Sequence, residues 1–217
     1  MAPSAARAEL STVADLVAHL GGIPAARIRI RPAPGTACEA DVLNVYEREK
    51  RLCELVDGVL VEKPMGFYES YLAGILLHLL NAYLEENDLG VAAGADGMMR
   101  LAAGMVRIPD VSFVTWAKLP GKELPAEPIP DLVPDLAVEV LSAGNTPAEM
   151  ERKRAEYLAA GVRLVWLVDP TTRTATVHTA AESKVLSADD VLDGGDVLTG
   201  FSLRVGDIFR RPQKRST

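Results

Sequence analysis

The chain has 217 residues, 48% of them apolar and 24% charged, with a net charge of −7. That balance fits one soluble domain with a sizeable core, and the negative charge excludes a protein built to coat a phosphate backbone. No apolar run approaches the roughly 20 residues that span a bilayer, and no basic stretch followed by an apolar one opens the chain, so neither a membrane span nor a signal peptide is expected. Cys38 and Cys53 offer no zinc-ligand spacing and no disulfide framework, which makes the reducing cytoplasm the expected location.

In chain order, residues 9–20 are predicted to form a helix stopped by Gly21-Gly22, and residues 36–50 a second one. Leu52–Val56 and Val59–Lys63 flank Asp57-Gly58, the positive-φ pair of a tight hairpin. Glu54 and Glu62 alternate on it and are predicted to face solvent. Glu69 to Asn87 carries Leu72, Ile75, Leu76, Leu79, Leu80 and Tyr83 at helical spacing, a face made to pack on a sheet. The partner strands are predicted at Val91–Ala95, Met98–Ala102 and Met105–Val114. Pro109 interrupts the third, because proline cannot donate to the ladder, and so places a bulge or an edge just before Asp110.

Residues 116–133 hold four prolines and read either as a functional arm or as a semi-rigid crossover. A strand follows at 134–141. Thr146-Pro147-Ala148-Glu149 then opens a helix with a capping box, which Gly161 closes. Arg163–Val168 and Thr174–Thr179 are the next strands, so residues 134–168 form a strand–helix–strand unit with a parallel crossover. A short β meander ending in a turn of helix is predicted over 183–209, and a basic tail follows with Arg210, Arg211, Lys214 and Arg215.

Glu139 stands inside the apolar run Leu136-Ala137-Val138-Glu139-Val140-Leu141, where an ionised carboxylate is costly unless a cation, a metal or several donors meet it. Asp110 repeats the arrangement upstream. Residues 69–170 hold fifteen acidic and eight basic side chains, so the chain's net acidity lies in the segment with these carboxylates. Two carboxylates suit magnesium, which takes one or two of them with waters and phosphate oxygens. With a nearby lysine to orient or deprotonate water, the parts match a phosphodiester hydrolase. Each residue also has a plainer reading. Asp110 can open a turn, Glu139 can face solvent, and Lys153 can form an exposed pair with Glu149 one helical turn earlier. His78 reads as a packed or half-exposed helix residue. Gly94–Gly97 matches no phosphate loop, and Ser142 lacks a nucleophile-elbow setting.

Taken together and in order, several short runs resemble the Uma2 (DUF820) family, which is placed in the PD-(D/E)XK nuclease superfamily. They are Cys53–Gly58, the helix opening at Glu69, Val106–Val111, Val138–Ser142, Lys153 before Glu156-Tyr157, Gly161-Val162 and Val165–Pro170. The resemblance covers roughly residues 50–209 and implies an α/β fold of mixed α+β type, with a restriction-endonuclease-like αβββαβ core. Residues 1–49 would be an N-terminal helical extension, 210–217 the tail. It further implies Asp110 as the motif aspartate and Glu139 as the second acidic ligand. Leu141 departs from the pattern where the superfamily has lysine, and the family resemblance moves that lysine to Lys153. Glu69 resembles an extra acidic residue that helps hold metal. The implied activity is a Mg²⁺- or Mn²⁺-dependent DNA endonuclease, and a homodimer is expected because dimers are the commonest oligomer and many nucleases address two strands. A catalytically idle nuclease-fold binding module and a phosphoesterase acting on something other than DNA stay open beside it.

Overall fold

The computed structural model describes residues 11–64 and 66–210. The start of the predicted first helix and the tail from residue 211 onward lie outside them. Helix α1 (Val13–His19) begins at Thr12, whose hydroxyl accepts from the Asp15 amide while Asp15 accepts from the Thr12 amide. Helix α2 (Glu39–Glu49) ends at Lys50 in the left-handed conformation. Strands β1 (Cys53–Val56) and β2 (Val59–Glu62) form the expected hairpin. Asp57 and Gly58 both have positive φ, at 49° and 72°, between the paired Val56 and Val59. Helix α3 (Phe67–Glu86) comes next, followed by β3 (Gly90–Ala93), β4 (Met99–Ala102), β5 (Met105–Arg107) and β6 (Val111–Thr115). Strand β7 (Leu136–Val140), helix α4 (Pro147–Ala160) and strand β8 (Leu164–Asp169) make the strand–helix–strand unit, with β7 and β8 parallel. The remainder is β9 (Thr174–His178), β10 (Ser183–Leu186), β11 (Val191–Gly194), β12 (Leu198–Arg204) and α5 (Val205–Ile208). Among the described residues no helix is long and apolar enough to cross a membrane.

A six-stranded sheet runs β10-β9-β8-β7-β6-β3, a four-stranded sheet runs β2-β1-β5-β4, and β11-β12 form a separate ribbon. Two expectations change here. The strand predicted over Met105–Val114 is two strands in different sheets: β5 pairs β1 through Leu55 and Val106, while β6 pairs β3 and β7. Ile108-Pro109-Asp110 is the crossing, because Pro109 has no amide with which to continue either ladder. The predicted meander over 183–209 divides likewise. Its first strand extends the large sheet beside β9, and the other two form the ribbon.

Alternation along β7 fixes what each of its residues meets. Leu136, Val138 and Val140 pack with Leu72, Ala73, Leu76 and Leu80 of α3. Ala137 belongs to the opposite face, in a cluster with Tyr157 of α4 and Val165. Glu139 shares that second face. Both faces of β7 are covered, so all five of its residues are buried. The segment before α2 packs Leu16, Leu20 and Ile23 on Val56, Val59 and Val61 of the hairpin. Residues 116–133 contain two short 3₁₀ turns and then return along β4, where the Arg100 amide donates to Pro130 O at 2.9 Å and Ile129 is buried in the small-sheet core.

Candidate active site

The crossing between the sheets places Asp110 beside β7. Its amide donates to Val138 O at 2.9 Å, and its Oδ2 accepts from the Val140 amide at 2.7 Å. Asp110 thus brackets Glu139 through the backbone on either side. Asp110 Oδ1 meets Lys63 Nζ at 2.9 Å, and Lys63 also donates to Ala95 O at 3.1 Å. Lys63 lines a surface cleft of about 410 Å³ with Lys50 and Arg51.

Glu139 points toward α4. Thr146 and Glu149 make the reciprocal capping box, Pro147 takes the first turn, and Gly161 closes the helix at φ 101°. Lys153 and Tyr157 lie four residues apart, hence on one face, and that face covers Glu139. Lys153 Nζ sits 3.1 Å from Glu139 Oε1, and the Tyr157 hydroxyl donates to the same oxygen at 2.6 Å. Among the described residues Glu139 Oε2 receives no hydrogen bond. Glu54 of β1 is the fourth member: its Oε1 lies 2.9 Å from Lys153 Nζ, and its Oε2 accepts from Arg107 at 2.6 Å. Arg107 also pairs with Glu156.

The predicted solvent-facing position of Glu54 is therefore corrected, since Glu54 is 1% exposed. The strand β1 lies inside its sheet, between β2 and β5, and all four of its residues are buried. The reading of Lys153 and Glu149 as an exposed pair is corrected as well. Lys153 is 2% exposed, and Glu149 instead binds Arg27.

Burial alone would push the Glu54 carboxyl up, but Lys153 and Arg107 outweigh it and hold the group at about 2. Burial pushes Glu139 the other way, upward. The negative charges of Asp110 and Glu54 add to that rise, which Lys153 and Lys63 only partly oppose. For Lys153, burial opposes the charge, yet Glu139 and Glu54 beside it raise the ammonium above its ordinary value. Lys153 is thus a fixed cation between two carboxylates.

Glu69 stands apart from this cluster. It is in the first turn of α3, and its carboxylate folds over Gly66, where a Cβ would come within 1.9 Å of Oε2. It lines a cleft of about 770 Å³ with Tyr68, Leu141, Ser142 and Asn145. No hydrogen bond joins it to Asp110 or Glu139 among the described residues. Among the described residues no group of three or more His, Cys, Asp or Glu side chains is placed to hold a metal ion, either in this cleft or at the junction. The donor set at the junction is two carboxylates, one part-exposed and one with a free oxygen. That number suits a magnesium-type ion completed by water and phosphate oxygens.

A model of the Uma2 family, described as "Putative restriction endonuclease", matches residues 39–206. Among solved structures, the chain is similar to the crystal structure of a "putative nuclease belonging to DUF820" from Anabaena variabilis. The TM-score is 0.66 at 20% identity, over 74% of this chain and 90% of that one. The folds agree, which is consistent with the restriction-endonuclease-like arrangement that the family resemblance implies. No curated protein matches the sequence.

Proposed function

The chain belongs to the Uma2 family, and from that membership we propose that it is a metal-dependent DNA endonuclease acting at the junction of its two sheets. The observation that carries the reading is Lys153 Nζ at 3.1 Å from Glu139, supplied by a helix where the strand itself has Leu141. In this reading Asp110 and Glu139 would hold a Mg²⁺ or Mn²⁺ ion, with Glu69 as the further acidic residue that the family resemblance implies. The bound ion supplies Lewis acidity toward the phosphate and a more acidic water. The chain's own residues do the rest. The Val140 amide and Lys63 fix the Asp110 carboxylate, and Tyr157 and Lys153 turn Glu139 so that Oε2 stays free. Lys153, bound by two carboxylates, acts as a standing positive charge toward the phosphate rather than as a base.

One observation favours an idle nuclease-fold binding module instead: both Asp110 oxygens already have donors, Lys63 and the Val140 amide. Metal titration of the wild type and Asp110→Asn decides between the two. The expected result is a Mn²⁺- or Mg²⁺-dependent rise in melting temperature and cleavage of supercoiled, single-stranded or branched DNA, both lost in Asp110→Asn. A wild type with neither metal response nor cleavage sinks the nuclease reading. Cleavage that survives Asp110→Asn places the chemistry elsewhere.

A further inference from the structure

Arg27 lies outside the residues that match the family, yet it reaches the back of the candidate centre. It ends a short 3₁₀ turn, Ala25–Arg27, and its side chain is almost wholly buried. The guanidinium grips three segments at once. Nε donates to Glu62 O at 2.9 Å, and NH1 donates to Gly144 O at 2.8 Å. NH1 and NH2 also take both oxygens of Glu149, at 2.9 and 2.7 Å.

Each partner is tied to a member of the centre. Glu62 directly precedes Lys63, which meets Asp110. Gly144 lies in the loop between β7, which carries Glu139, and α4; Pro64, next to Lys63, packs against it, 3.2 Å from where a Gly144 Cβ would stand. Glu149 is one helical turn before Lys153 and closes the capping box of the same helix. It also accepts from the Asn145 side chain at 3.1 Å. The approach is close because Gly21 has no side chain: a Cβ there would lie 2.6 Å from the Glu149 amide nitrogen. Thr146, the cap of α4, donates its hydroxyl to Gly21 O.

We infer that Arg27 is a positioning residue for the centre, one planar fork that sets the hairpin end with Lys63 and the helix with Lys153 in register with Glu139. This rests on the nuclease reading for its catalytic consequence, though not for its geometric one. A lysine cannot substitute, because a single ammonium does not present a rigid fork to acceptors on three segments. The N-terminal segment is on this account part of the working centre.

Three full-length variants test it: Arg27→Lys, the double variant Arg27→Met/Glu149→Met, and Leu16→Ala. The double variant replaces a buried ion pair with apolar side chains, a change that folded proteins often tolerate. Leu16→Ala weakens the packing of the same segment on the hairpin without touching the fork. The readouts are the ¹³Cε NMR signals of Lys63 and Lys153, and kcat against KM for Mn²⁺-dependent cleavage. Both lysine signals are expected to move in Arg27→Lys and in the double variant. Their kcat is expected to fall about 10–100-fold, the scale of an ångström-level misplacement, with KM little changed. Leu16→Ala lowers the melting temperature and leaves the signals and kcat in place. The inference is overturned if Arg27→Lys and the double variant keep wild-type lysine signals, or if Leu16→Ala moves them equally. If the wild type cleaves no DNA with any divalent ion, the nuclease reading fails, and the lysine signals still decide the positioning role.

Discussion

Lys153 and Lys63 each hold a carboxylate of the centre near 3 Å, and the two carboxylates differ in how far water reaches them. Lys153 is shared by Glu54 and Glu139, with Tyr157 and Arg107 completing a cluster whose members are all under 5% exposed. Lys63, its own side chain 4% exposed, faces Asp110, whose side chain is 16% exposed, and borders a surface cleft. Identical pair chemistry therefore serves two ends. In the sealed half each charge is held by a fixed partner, so removing one strands another in a medium that cannot solvate it. In the open half water shares the load, and a charge can change partners. Stability should follow the sealed half, and divalent-ion response the open half together with the free oxygen of Glu139.

The strongest way to break this contrast is Lys153→Met. The methionine keeps most of the stem's packing and leaves Glu139 with only the Tyr157 hydroxyl. Breaking a buried pair in this way costs about 3–5 kcal/mol, to be read as a lower urea midpoint at neutral pH; a loss below about 1 kcal/mol would show that the cluster is not sealed. Glu54→Gln comes next, at about 2 kcal/mol, because Arg107 keeps Glu156 and Lys153 keeps Glu139. Its pH dependence carries the sharper test. Glu54 is held at about 2, below its ordinary 4.5, so its contribution is complete above pH 4.5 and disappears as pH falls toward 2. The stability gap between wild type and Glu54→Gln should close over that window. Glu139, shifted upward, has the opposite sign: the folded state holds its proton more tightly, so its charge costs stability as pH rises above the ordinary carboxylate value.

The same pair of glutamates shows how far the sequence could be read. A carboxylate inside an apolar strand singles out Glu139, and Glu54 stands in a similar run, Leu52-Cys53-Glu54-Leu55-Val56. Alternation with Glu62 along the hairpin points Glu54 to solvent, whereas β1 lies inside a sheet that the N-terminal segment also packs on. The hairpin turn and the caps of α4 were legible, being local chemistry. The ion pairs of α4 were not. Glu149, Arg152, Lys153 and Glu156 look like a solvated face, yet they take Arg27, Asp57, Glu54 and Arg107 from distant elements. Spacing along one helix reveals only partners on that helix. Likewise Pro109 announces a break, but which sheet each fragment joins depends on strands far away in sequence.

Tyr157→Phe probes the sealed half without touching a charge. It removes the 2.6 Å donor from Glu139 Oε1 and leaves a buried carboxylate with Lys153 alone, a loss of about 1.5–3 kcal/mol. A denaturation midpoint within error of wild type would mean that water reaches this oxygen.

The smallest stability effect is expected from Asp110→Asn, and here the two halves separate most clearly. The amide oxygen can still accept from the Val140 amide, and Lys63 keeps Ala95 O. Lys63 does lose its counter-ion, but Glu139 loses a repulsive neighbour. These two changes oppose each other, so without divalent ions the net cost should be about 1 kcal/mol, the net worth of one hydrogen bond. With Mn²⁺ the variant should show none of the wild-type rise in melting temperature. A large loss of stability in metal-free buffer would place Asp110 in the sealed half, and the centre would then be one rigid charge network rather than a fixed cation facing an exchangeable carboxylate.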